Sequence, residues 1–275
     1  MWSKVKTRVI SATVLIAILL LVVFFTPQRV FALLVCALEF MVMYELTKVL
    51  GLNKKISITL VNYIFAALFM SLQFMDKALA GKLIFPAALL YIMLLTAVCV
   101  LDNKRVKFTD VCFSGFMVFY SVAFLMHLSF IRNLDGGVAL LFMALIGAYI
   151  TDTGAYFTGM AIGRHKLIPA VSPNKTVEGA VGGVLGSVIG FMVYGFIMVK
   201  MGYSVNFLLL GVLSVVSALV AQFGDLAASA MKRSLEVKDF GNLIPGHGGM
   251  VDRVDSLMFV APVVYYFITL LPVIY

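Results

Sequence analysis

The run GVALLFMALIGAYITDTGAYFTGMAIG, residues 137–163, decides the fold: it is long, almost wholly apolar, and its one charge is Asp152. A helix needs about 20 mostly apolar residues to cross a bilayer, so this stretch reads as a membrane span with an acid inside it. Working outward, similar segments occur at approximately 9–25, 30–46, 56–74, 83–101, 111–131, 180–199, 207–224 and 257–274. The expectation is an all-α membrane protein of about nine transmembrane helices. Composition agrees, with 63% hydrophobic residues, 12% charged residues and a mean hydropathy of +1.08. A large water-soluble globule is excluded, because 21 basic and 13 acidic residues cannot clothe its surface.

The first segment follows Lys4, Lys6 and Arg8 as a signal peptide would, but TPQRV and a second apolar run come next, so it is expected to be retained. Nine spans put the two termini on opposite sides. Sixteen Lys and Arg residues then fall on one side and five on the other, which makes the N-terminus cytoplasmic and the C-terminus not. Residues 1–136 hold helices 1 to 5. Residues 137–275 hold helices 6 to 9 and two long cytoplasmic polar segments, 164–179 and 225–256. Although the net charge is +8, the basic residues lie scattered in short loops, which disfavours nucleic acid and favours membrane lipid or an anionic substrate. Cys36, Cys99 and Cys112 have no metal-ligand spacing and read as packing residues.

The second polar segment is DLAASAMKRSLEVKDFGNLIPGHGGMVDRVDS. On a helix continuing the eighth span, Asp225, Ser229 and Lys232 share one face. Pro245, Gly246, Gly248 and Gly249 break the chain around His247, in a loop whose backbone a ligand can approach closely. Asp252 and Asp255 are one turn apart where the chain re-enters the membrane. A solvated loop with salt bridges is the alternative, but carboxylates at the ends of membrane helices argue for a site. Asp152, roughly 23 Å into its span from the outer side at ~1.5 Å per residue, falls near the same cytoplasmic level. Four carboxylates converging from three helices need a neutralising partner, and oxygen-only ligands favour Mg²⁺.

In SPNKT, Ser172, Asn174, Lys175 and Thr176 stand ahead of a helix start and suit phosphate oxygens; a plain helix cap is the equal alternative. Gly179, Gly182, Gly183, Gly186 and Gly190 recur at helical spacing, which serves close helix packing or a homodimer contact. Glu39, mid-span in the second helix, is either a site residue or a structural hydrogen-bonding group, and His127 reads as an interfacial histidine.

Taken together, SAMKRSLEVKDFGNLIPGHGGMVDRVD from Ser229 to Asp255, DTGAYF from Asp152 and SPNKTVEG from Ser172 resemble the phosphatidate cytidylyltransferase family, also called CDP-diacylglycerol synthases. The resemblance implies a multi-pass enzyme of the cell's inner (cytoplasmic) membrane, its site facing the cytoplasm. It implies that CTP and phosphatidic acid of the inner leaflet are joined to give CDP-diacylglycerol and pyrophosphate, with Mg²⁺ required and a second cation left open. Carried onto this sequence, Asp225, Asp252 and Asp255 would coordinate metal, with Asp152 in the same pocket. Lys175, Lys232, Arg233, Lys238 and Arg253 would hold phosphates; Ser172, Asn174, Thr176, Glu178, Ser229, Gly248 and Gly249 would bind substrate; Asp239 and His247 would complete the catalytic set. A polyprenol-type kinase using CTP and a membrane transporter remain alternatives.

Overall fold

The computed structural model describes residues 17, 20–243 and 248–274. Eight helices there are long and apolar enough to cross a membrane: α1 (Gln28–Val49), α2 (Ile56–Phe74, closing in a 3₁₀ turn), α3 (Ala78–Leu101), α4 (Phe108–Arg132), α5 (Gly137–Ile162), α6 (Val177–Lys200), α7 (Phe207–Ser234) and α8 (Val251–Leu270). The expected first span, 9–25, lies largely outside the described residues, as does His247. The other eight expected spans each coincide with one of these helices.

Two helix ends differ from the sequence reading. α7 runs ten residues past the apolar stretch, and α8 begins at Val251, so the polar segment 225–256 is helical at both flanks. The reason is local: AASAMKR is a strong helix-forming run, and Lys232 and Arg233 in the last turn complement the helix dipole. α7 ends in a Schellman turn, in which the Val237 N–H donates to the Lys232 carbonyl and the Glu236 N–H to the Arg233 carbonyl. The left-handed residue is Glu236, at φ 56°, where a glycine is usual.

The segment 164–179 also departs from an all-helical plan. Strands β1 (Lys166–Ile168) and β2 (Ser172–Thr176) pair antiparallel, Lys166 opposite Thr176 and Ile168 opposite Ser172. Pro173 disfavours helix for Ser172 before it and is tolerated in a two-stranded edge. Thr176 then caps α6, its Oγ1 accepting the Gly179 N–H at 3.1 Å. The helix-cap reading of SPNKT therefore holds for its last residue.

By their contacts the residues form two compact units, the first made of residues up to 130 with 239–252, the second of 131–238 with 253–275. The loop segment 239–252 groups with the first unit. Inside that unit, Asn62 donates to Ser114 Oγ at 2.9 Å while Tyr91 donates to Asn62 Oδ1, so α2, α3 and α4 share a buried polar junction. Glu39 is fully buried, with the Gln73 amide donating to its carboxyl at 3.0 Å. Of its two readings, the structural hydrogen bond is the one seen. His127 is buried with Nδ1 2.7 Å from the Ala123 carbonyl.

The second unit turns on α6. One face presents Val181, Leu185, Ile189, Val193 and Phe196, each more than half exposed, as a lipid-facing stripe. The other face is glycine. A Cβ on Gly182 would collide with the Thr158 side chain, and one on Gly154 would stand 2.9 Å from the Gly182 carbonyl oxygen. Lipid gives no hydrophobic drive to join helices, so this close backbone approach supplies the packing energy between α5 and α6.

Candidate active site

All the elements of the cavity belong to the second unit. Its volume is about 320 Å³, and its walls include Asp152 and Tyr156 of α5, Asn174, Lys175 and Thr176 of β2, Gly179 of α6, and Gln222 and Asp225 of α7. The size lies at the lower end of the range of small-molecule sites. Glycine again sets the geometry, since Gly159 and Gly179 let the walls meet: a Cβ on Gly179 would lie 2.8 Å from the Ala155 carbonyl oxygen.

Asp152 comes directly after a π-helical turn, Ile146–Ile150, inserted in α5. Such a turn shifts the phase of the helix and re-aims the side chains beyond it. Here Tyr149, within the turn, comes into electrostatic reach of Asp152, Asp255 and Arg253. Asp152 in turn faces Asp225 and Lys175, and Asp255 faces Asp225, Asp152 and Lys232. The convergence expected from depth counting is therefore present for Asp152, Asp225 and Asp255. One contact is direct: Lys175 Nζ sits 2.6 Å from Asp225 Oδ2, both side chains about a quarter to a third exposed. Among the described residues no three His, Cys, Asp or Glu side chains close around one point as metal ligands would.

Asp252 has different company. Its Oδ2 accepts the N–H groups of Phe240 at 3.0 Å and Gly249 at 3.2 Å, so the carboxylate ties these two residues together. Gly248, at φ 80°, lies where a Cβ would stand 3.3 Å from Asp239 Oδ1 and 3.5 Å from Asp252 Oδ2. Gly249 is buried against Glu45. Its tight environment is made by the Glu45 carboxylate and the Gly241 backbone nitrogen.

Other expected site residues carry structural contacts. Glu178 accepts the backbone N–H groups of Arg164 and His165, and its Oε1 is 2.6 Å from His165 Nδ1, which ties the start of the hairpin to α6. The Arg233 Nε–H donates to the Val171 carbonyl at 3.3 Å, holding the hairpin tip to α7. Ser229 lies one turn beyond Asp225 on α7, half-buried, while Lys238 and Asp239 come after the Schellman turn and are exposed. Three residues not singled out by sequence share these sites. Gln222, three before Asp225, lines the cavity and donates to the Ala180 carbonyl at 3.1 Å. Tyr149 is three before Asp152. Glu45 reaches Val251 from α1, and its one sequence signal is an acid near the C-terminal end of an apolar helix, where the dipole gives it no support.

Comparison with known proteins decides the family. The model of the cytidylyltransferase family matches residues 6–271. The chain belongs to this family. Among its curated members, the phosphatidate cytidylyltransferase of Bacillus subtilis (strain 168) is 33% identical over 269 residues, 96% of this chain and 98% of that protein. The phosphatidate cytidylyltransferase of Staphylococcus saprophyticus is 39% identical over 169 residues, 62% of this chain and 63% of that protein. That of Staphylococcus aureus (strain COL) is 41% identical over 169 residues, 59% of this chain and 61% of its own length. The cavity and the glycine loop both lie inside the span that the family model covers.

Proposed function

We propose that this chain is a membrane cytidylyltransferase that joins CTP to phosphatidic acid, giving CDP-diacylglycerol and pyrophosphate. The observation that carries the proposal is the Lys175–Asp225 pair in a cavity also lined by Asp152, Asn174 and Gln222, at the ends of membrane helices. An ammonium and a cluster of carboxylates side by side suit a polyphosphate and its counter-ion together.

The chemistry asks little of a general base. Phosphatidate brings a phosphate oxygen already ionised at neutral pH; that oxygen forms the new bond to the CTP α-phosphorus as the bond to the pyrophosphate oxygen breaks. The protein's task is to set the two reactants in line and to balance their charge. Lys175 exchanges Asp225 for phosphate oxygens, with Asn174 beside it as a hydrogen-bond donor. Lys232, Lys238 and Arg253 extend the positive field toward the lipid phosphate, and Arg233 holds the hairpin in place. Asp225 and Asp255, with Asp152 in electrostatic reach of both, are the side chains that would hold Mg²⁺, an assignment resting on their oxygen-only character. When bound, that ion would neutralise the triphosphate oxygens. Asp252 serves the loop through Phe240 and Gly249. The cavity faces the cytoplasm, as the loop charges indicate, and draws its lipid from the inner leaflet.

Purified protein in lipid nanodiscs, given phosphatidate and CTP labelled at either the α- or the γ-phosphate, tests the reading. Label from the α-position is expected in the lipid product and label from the γ-position in pyrophosphate. Lipid labelled only from the γ-position would make the protein a kinase, and unlabelled lipid in both arms would favour transport.

A further inference from the structure

We infer that Glu45 is a positioning residue for this reaction: its carboxylate, carried on α1, holds the two ends of the glycine loop and caps the start of α8. The inference rests on the cytidylyltransferase reading above. Glu45 is 2% exposed. Its Oε2 accepts the N–H of Val251, the first residue of α8, at 3.0 Å across 206 residues of sequence. A Cβ on Gly249 would stand 2.6 Å from Oε2, and one on Gly241 would collide with Oε1. Both glycines therefore let the chain pack directly against the carboxylate between them. Asp252 completes the arrangement by drawing in Phe240 and Gly249.

The sign of the helix dipoles tells which helix Glu45 serves. Glu45 lies just before the last turn of α1, toward that helix's negative end, where a carboxylate gains nothing; at the N-terminus of α8 the same charge is favoured. A buried carboxylate is retained only with donors, and the Val251 amide supplies one. Among the described residues Oε1 has no hydrogen-bond partner. Glu45 thus fixes where α8 begins; its first turn bears Asp252 and Arg253, and Asp255 follows on the next turn. Displacing reacting groups by about 1 Å costs on the order of 100-fold in rate, so a residue touching neither substrate can govern turnover.

The test uses full-length protein in nanodiscs, with activity normalised to the folded fraction from thermal melting. Glu45→Ala is expected to lower kcat/KM for CTP by about 100-fold, with KM raised as well as kcat reduced, and to speed hydrogen exchange at the Phe240, Gly249 and Val251 amides. Gly241→Ala is expected to impair the wild type but to add nothing in the Glu45→Ala background, because the collision is gone. Unchanged KM with activity lost only in proportion to unfolded protein, or additive effects of the two substitutions, would overturn the inference. Should Glu45→Ala fail to fold, Glu45→Gln decides: raised KM in folded protein supports positioning, and wild-type KM rejects it. A wild type that transfers no label would sink the enzymatic reading alone, and the exchange measurement would still decide what Glu45 holds.

Discussion

Lys175 answers to two partners. In the structure it is fastened to Asp225 at 2.6 Å, yet in the proposed cycle it must release that carboxylate to take phosphate. Both side chains are partly exposed, so the pair is worth little to stability, about 0–1 kcal/mol, and opens readily. Lys175→Ala and Asp225→Asn are each expected to lower kcat by about 10²–10³-fold while shifting the melting temperature little. Because both would act on the same bound triphosphate, the double variant should be less impaired than the product of the two single losses, as steady-state kinetics with CTP would reveal. Full additivity would mean the two act apart. The residues of this site are legible to different degrees. Counting places Asp152, since helix rise is constant and its span has one end fixed by short loops. No such count reaches Glu45, because its partner is 206 residues away and nothing in either local stretch announces the contact.

At the scale of the element, glycine has two meanings that sequence spacing alone does not separate. On α5 and α6 it permits backbone contact, and Gly182→Ala is expected to destabilise the protein by about 1–3 kcal/mol through overpacking against Thr158. Gly81 on α3 has nothing within 4 Å of the place a Cβ would occupy, so Gly81→Ala should be neutral or gain up to about 1 kcal/mol of helix propensity. Thermal melting of the two variants in one detergent compares them directly. Span positions are readable because some twenty apolar residues leave a chain few alternatives in lipid. Helix ends are less so: α7 continues through charged residues that a hydropathy criterion excludes, and the hairpin 166–176 is too short to show a period. The π-helical turn before Asp152 leaves no pattern at all, although it sets the direction of that side chain.

For the whole molecule, the loop charges predict an orientation that labelling can check. With Cys36, Cys99 and Cys112 replaced, a cysteine at Arg105 between α3 and α4 should react with an impermeant maleimide only from the cytoplasmic side, and one at Ser204 between α6 and α7 only from the other. The reverse pattern would place the cavity on the wrong face for CTP. The first unit is discontinuous, its last segment returning after most of the second unit has been made. That arrangement gives the Glu45–Val251 contact a calendar. At about 5–20 residues per second, synthesis separates the two partners by roughly 10–40 s. Throughout that interval Glu45 waits in a nascent chain without the amide it will cap, and the glycines it packs against are not made until near its end. A ribosome-bound fragment lacking α8 therefore has its cavity walls but not the pinned loop. On the role inferred for Glu45, competence is expected only with the final span, so a chain broken off early should transfer nothing from the cell's CTP.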